Sequence, residues 1–452
     1  MKSVFSKVSI LTSFLIFTIF GITFGQPKSN VINPAWSYDK MIYEVNLRQF
    51  TQSGSIREFR EHLPRLKELG VGILWFMPLH PIGEVNRKGA MGSYYSVKDY
   101  KGLDPYYGTP QEFKELVQEI HKMGMYIIID WVANHTSWDN PLVKSNPEFY
   151  TKDSLGKFVP PVADWADVID LNYENTALRE YMTGALEFWV KEYNIDGFRC
   201  DVAGMVPVDF WNSAVARLNK IKPVFMLAEW EGAVMHENAF NMSYGWDLHQ
   251  ALNKVAKGEA KPSALIEIIE NNLKTYPKNA MRMQFITNHD ENSWNGTEFE
   301  RMGDAVEAMA VFTYTVPGMP LLYTGQEAGF DKRLNFFEKD QVDWKESKFF
   351  PFYNKLNDLK KNNPVLHNGE AGGDFNIIKN DQDDKVVSFS RDLKDNTIIC
   401  VFNMSKNIST ANLKINNAGN YIDYFSDQKL TFKKNEKIDL KPWDYRVFIK
   451  QN

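Results

Sequence analysis

Three carboxylates in the middle of the chain, Asp201, Glu229 and Asp290, each close a short run of strand-forming residues. They lie in Gly197-Phe198-Arg199-Cys200-Asp201, in Leu227-Ala228-Glu229 and in Asn288-His289-Asp290, and Asp130-Trp131-Val132-Ala133-Asn134-His135 precedes all three. One carboxylate that attacks, with a second carboxyl that first gives and then takes a proton, can break a glycosidic bond with retention. The two must lie about 5–5.5 Å apart across an oxocarbenium-like centre. Arg199 stands two residues before Asp201, so on a strand both side chains leave the same face. A guanidinium there keeps a carboxylate ionised; standing alone, the pair would read as a structural ion pair. Glu229 ends the apolar run 224–228, and burial there, with Trp230 beside it, would raise its pKa towards neutrality. Glu231 competes for the acid's role but lies past the strand end.

Such groups meet only if their strands run parallel and end at one face of a sheet. Residues 41–50, 71–78, 126–132, 197–202, 224–230, 282–288 and 320–325 read as strands, with a fainter one near 241–244. Helical patterns alternate with them at 110–123, 176–193, 209–220 and 303–315. Thr109 is placed to cap the first of these, and Pro110 takes its first position. The repeat argues a parallel sheet and fits a (β/α)8 TIM barrel; periodicity alone leaves an open doubly wound sheet possible. Residues 134–173, rich in Pro, Asp, Asn and Trp, interrupt the alternation after the third strand, and loops of that length are usually functional. After about residue 368 short alternating strands with polar turns take over, at 386–391, 397–403, 421–425 and 444–449, which reads as an antiparallel β-sandwich.

At 452 residues the chain exceeds one ordinary domain, and 44% apolar content is enough for large cores. A net charge of −5, without long like-sign blocks, disfavours nucleic acid as a partner. Lys2 and Lys7 followed by an uncharged apolar run to residue 24, with Gly25 before Gln26, read as a secretory signal peptide over residues 1–25. The alternative is an uncleaved membrane anchor. Beyond it no stretch is apolar enough to span a membrane, so the mature chain is expected to be secreted or periplasmic. Cys200 and Cys400 make no disulfide framework.

The four segments in this order resemble the α-amylase family of retaining α-glycoside hydrolases, glycoside hydrolase family 13. Further stretches carry the resemblance across nearly the whole mature chain: GSYYSVKDYKGLDPYYG at 92–108, Val168-Ile169-Asp170-Leu171-Asn172, GMPLLYTGQE at 318–327 and FFEKDQVDW at 336–344. It implies a barrel over 26–133 and 174–367, an inserted B domain over 134–173 and a C-terminal sandwich over 368–452. By resemblance Asp201 is the nucleophile, Glu229 the acid and then the base, and Asp290 a carboxylate that holds sugar hydroxyls without reacting. His135 and His289 would donate to hydroxyls of the same sugar, and Tyr95 would stack beneath it. Arg199 would keep Asp201 ionised, and Asp130 would orient Arg199. Where many starch-degrading members carry a Lys on the leaving-group side, this chain has Gly204 and then Met205; Trp230 or Trp294 is expected to supply a platform instead. A structural Ca²⁺ is implied at Asn134 and Asp167, with the Met205 carbonyl as a third ligand, and no organic cofactor. The implied substrate is an α-glucan or malto-oligosaccharide. Hydrolysis, glycosyl transfer and silent glucan binding on the same scaffold remain open from sequence, as do chain-length and linkage preference.

Overall fold

The computed structural model describes residues 27–451, so the signal-peptide reading lies outside the described residues. Eight short strands pair in parallel: β1 (Ile42–Val45), β2 (Ile73–Phe76), β3 (Tyr126–Trp131), β4 (Gly197–Cys200), β5 (Phe225–Ala228), β6 (Met242–Tyr244), β7 (Met281–Gln284) and β8 (Met319–Tyr323). They close on themselves in the order β1-β8-β7-β6-β5-β4-β3-β2, which removes the open-sheet alternative and makes β6 a full member of the wall. Alternate residues face in and out. Ile42, Ile73, Ile128, Leu227, Met242 and Met283 fill the interior, while Tyr43, Leu74, Ile127, Ile129, Phe198 and Met226 pack outward under the helices. The same period of two aims Glu44, Asp130 and Arg199 inward, and the register sets Asp130 directly beside Arg199.

The helix Pro110–Lys122 starts with a capping box, Thr109 against Glu112, as its sequence implies. Thr176–Tyr193 matches its expected bounds; the Asn175 side chain accepts from the Ala177 and Leu178 amides, and Asn194 ends it in the left-handed region. Gly197 opens β4 because nothing larger fits: a Cβ there would lie 1.8 Å from the Phe225 carbonyl oxygen. β1 is shorter than read, since Leu47–Phe50 turns helical after Val45. That turn lets Gln49 donate to the carbonyls of Asn335 and Glu338 and so fasten the loop after β8.

Between β5 and β6 there is no long helix, only the turn Ala233–His236. Residues 29–33 lie along that stretch of wall. The Asn30 amide donates to Glu237 O at 2.7 Å, Ser29 Oγ to His236 O at 2.5 Å, and Asn279 Nδ2 to Val31 O at 2.7 Å.

After β3 the inserted stretch forms a two-stranded antiparallel ribbon, His135–Ser137 with Val168–Asp170, and two helical turns between them. The C-terminal region has a six-stranded antiparallel sheet in the order β9-β10-β11-β16-β13-β14. Its strands are β9 (Asp374–Ile377), β10 (Val386–Leu393), β11 (Asn396–Asn403), β13 (Gly419–Asp423), β14 (Lys429–Phe432) and β16 (Tyr445–Lys450). A two-stranded sheet, β12 (Ser409–Lys414) with β15 (Asn435–Leu440), covers one face. Ile399, Val401, Leu413, Tyr421 and Phe448 fill the space between them. Phe389, Cys400 and Phe402 alternate to the other face and join the barrel's core, where Phe402 meets Phe312 at 5.4 Å. Both cysteines are buried free thiols. Among the described residues no helix is long and apolar enough to cross a membrane.

Candidate active site

The ends of β3, β4 and β5 bring their acids around one buried guanidinium. Arg199 is fully buried. Its Nη1 lies 2.8 Å from Asp130 Oδ1 and 3.0 Å from Asp201 Oδ1, and its Nη2 lies 2.6 Å from Glu229 Oε1. The first two contacts were expected. The third was not expected. Tyr244 accepts from Arg199 Nε at 3.3 Å, and the rings of Trp75 and Tyr95 lie 5.1 and 5.6 Å from the guanidinium carbon.

One cation cannot neutralise three carboxylates away from water, so the site favours retained protons. Burial drives Glu229 up to about 8, with Arg199 opposing and Asp201 and Asp290 adding to the rise. Burial raises Asp201 less, to about 6, against the same guanidinium. Burial and the two neighbouring acids thus favour a proton retained on Glu229.

The turn after the nucleophile candidate is strained. Val202 has φ 36° and ψ 48°, a left-handed conformation that a β-branched residue rarely adopts. There its amide donates to Glu229 Oε2 at 2.8 Å. Strand pattern alone gave no signal of this contact.

Asp290 is partly exposed, with Oδ2 3.3 Å from His289 Nε2. His289 Nδ1 faces the buried Glu44 carboxylate of β1 at 2.5 Å. Burial pulls the imidazole's pKa down, but Asp290 and Glu44 outweigh it and hold it up at about 9, so His289 is an imidazolium at neutral pH. Tyr95 continues the chain: its hydroxyl is 2.8 Å from His289 Nε2 and donates to Asp130 Oδ2 at 3.2 Å. Glu44 was missed in sequence, although an acid inside the apolar run Ile42–Val45 is a visible oddity. Phe336 was missed as well; its ring runs nearly parallel to Tyr95, 6.2 Å away.

His135 is buried and stays neutral, its pKa lowered by burial to about 3. It lies 5.5 Å from the Trp165 ring. Glu231 turns away from this group and pairs with Arg282. Trp230 is 42% exposed and Trp294 52% exposed, so both indoles offer faces to a ligand. Trp230 lies on the backbone of Gly204, where a Cβ would fall 2.0 Å from its Cε2. The lack of a side chain at Gly204 is thus what lets the indole sit there. Trp294 leans on Phe336 and Phe337, at 5.1 and 5.8 Å.

Two of the implied Ca²⁺ ligands have protein partners. Asp167 Oδ1 is 3.0 Å from Lys88 Nζ, and Asn134 Nδ2 turns to His135 Nδ1 at 3.3 Å. Among the described residues no cluster of three or more His, Cys, Asp or Glu is placed to hold a metal. Ca²⁺ takes six to eight oxygens, and the one carboxylate among the implied ligands already faces an ammonium.

The family description "Alpha amylase, catalytic domain" matches residues 28–154 and 162–232, and "Alpha amylase, C-terminal all-beta domain" matches 377–446. A noncanonic maltogenic α-amylase of Thermotoga neapolitana superposes with a TM-score of 0.85 at 29% identity, covering 91% of this chain and 98% of that one. An α-amylase of Lactobacillus plantarum gives 0.83 at 28% identity, covering 92% and 100%. Alpha-amylase 2 of Dictyoglomus thermophilum is 22% identical over 433 residues, 87% of this chain and 73% of the relative. With both family descriptions matched and the barrel closed around these acids, the chain belongs to the α-amylase family, glycoside hydrolase family 13, and is an α-amylase-type glycoside hydrolase.

Proposed function

We propose that this enzyme cleaves α-1,4-glucosidic bonds in starch-type glucans or malto-oligosaccharides through a covalent glycosyl-enzyme on Asp201. The observation that carries the reading is the guanidinium shared by Asp201 and Glu229, two carboxyls with unequal hold on a proton. Asp201 attacks the anomeric carbon; the bond to the leaving oxygen breaks, and the Glu229 proton passes to that oxygen. Glu229, now a carboxylate, takes a proton from water, whose oxygen displaces Asp201 and restores both groups. Asp290 and the His289 imidazolium bind hydroxyls of the sugar under attack, His135 adds a neutral donor, and Tyr95 stacks beneath. No organic cofactor takes part, and residues 1–25 direct export.

Trp230, exposed beside Glu229, supports a platform for the leaving sugar, and the same platform can hold an acceptor. That favours glycosyl transfer as the second reading. The similarity to a maltogenic α-amylase supports maltose among the products. The test is a time course on maltoheptaose with wild type, Asp201→Asn and Glu229→Gln. Shorter products from wild type alone support hydrolysis, and products longer than the input move the assignment to transfer. No turnover by folded wild type rejects the reading.

A further inference from the structure

Asp167, one of the residues expected to bind a Ca²⁺, meets an ammonium instead, and that ammonium joins three loops. Lys88, in the loop after β2, places Nζ 3.0 Å from Asp167 Oδ1 and 2.8 Å from the Asp164 carbonyl oxygen, both in the inserted stretch. On its other side Nζ lies 6.0 Å from the centre of the Phe337 ring, in the loop after β8. The surroundings hold it there. Ser96 Oγ donates to the Asp167 carbonyl at 3.0 Å, and Lys98 pairs with Asp139 at 3.2 Å. The Ala90 amide donates to Glu338 Oε1 and the Met91 amide to Phe337 O, each at 2.9 Å. Gly89 presses so closely that a Cβ would lie 2.6 Å from that of Phe337.

We propose that Lys88 is the cation that fastens the inserted stretch to the barrel, so that this wall of the cleft is held without a metal. A divalent ion would need the Asp167 carboxylate and several more oxygens. Asp167 is almost fully buried, so its charge requires a fixed partner, and Lys88 provides one from within the chain. The proposal goes beyond the glycosidase reading and does not depend on it.

A half-exposed ion pair adds little to global stability, so the test reads local opening. Wild type, Lys88→Met, Asp167→Asn and the double variant are digested under native conditions, with cleavage followed within residues 134–173, each in chelator and in added Ca²⁺. Melting temperatures are recorded in parallel. Expected are a wild type indifferent to chelator and Ca²⁺ in both readouts, and a rise of about three- to five-fold in cleavage rate for Lys88→Met. The double variant should be cleaved about as fast as the faster single one. A wild-type melting temperature that falls in chelator and recovers with Ca²⁺ overturns the proposal. So does cleavage of Lys88→Met at the wild-type rate, or strictly additive effects of the two substitutions.

Discussion

Arg199 touches three acids, yet the proton pattern around it is uneven, and that unevenness predicts a pH profile. Asp201 must be ionised to attack, and Glu229 must be protonated to donate. Since Asp201 is raised to about 6, kcat/KM should climb as pH rises through about 6. Since Glu229 is raised to about 8, it should fall again above about 8. Initial rates on a malto-oligosaccharide from pH 4 to 10 check this, and a rate still flat at pH 10 would sink the assignment of Glu229 as the acid. Glu229→Gln should cost about 10²- to 10⁴-fold in kcat and remove the alkaline limb. Gly204→Ala tests the indole platform. The added methyl collides with Trp230, so KM for maltoheptaose should rise about 3- to 10-fold. An aryl maltoside, whose leaving group is not a sugar, should be little affected; an equal change in both substrates argues against a leaving-side role.

Strands carry the acids, and their placement depends on a few close fits. At Gly197 a methyl group would strike the Phe225 carbonyl, forcing β4 away from β5 and taking Arg199 with it. Gly197→Ala should lower unfolding free energy by about 1–3 kcal/mol in urea titration and reduce kcat more than a distant destabilising change does. Retained stability would mean that β4 and β5 can separate freely. Most barrel strands were legible because each is a short β-rich run bounded by Gly, Pro or a capped helix. The polar ribbon β12–β15 was not, since Ser409–Lys414 buries only alternate residues and carries Thr, Asn and Lys on its outer face. The helices Trp246–Lys257, Ser263–Thr275 and Phe349–Asn362 also went unread, although Leu248, Ala251, Leu252, Val255 and Ala256 make a helical stripe in the first. At the site the three acids were readable from their segments. Glu44 was not, because it meets His289 across 245 residues of sequence.

Barrel and C-terminal sheet share one apolar junction rather than touching at a seam. Phe312, on the helix Val306–Thr315, packs edge-on against both Phe389 and Phe402. Two buried basic side chains close the same junction. Arg391 donates to the carbonyl of Thr315, the last residue of that helix, at 3.0 Å, and Lys360 to Gly318 O, just before β8, at 2.7 Å. Phe312→Ala should therefore destabilise by about 3–5 kcal/mol, and calorimetry should show barrel and sheet still melting together. Two separated transitions in wild type would contradict the shared core. The strap at residues 29–33 sets a different kind of constraint, one of time. Its partners at His236 and Asn279 follow it by 207 and 250 residues. A ribosome adding about 5–20 residues per second needs roughly 10–50 s to make them. For that interval the strap has nothing to bind, and the wall between β5 and β6 is sealed only when the earliest described residues find partners made much later.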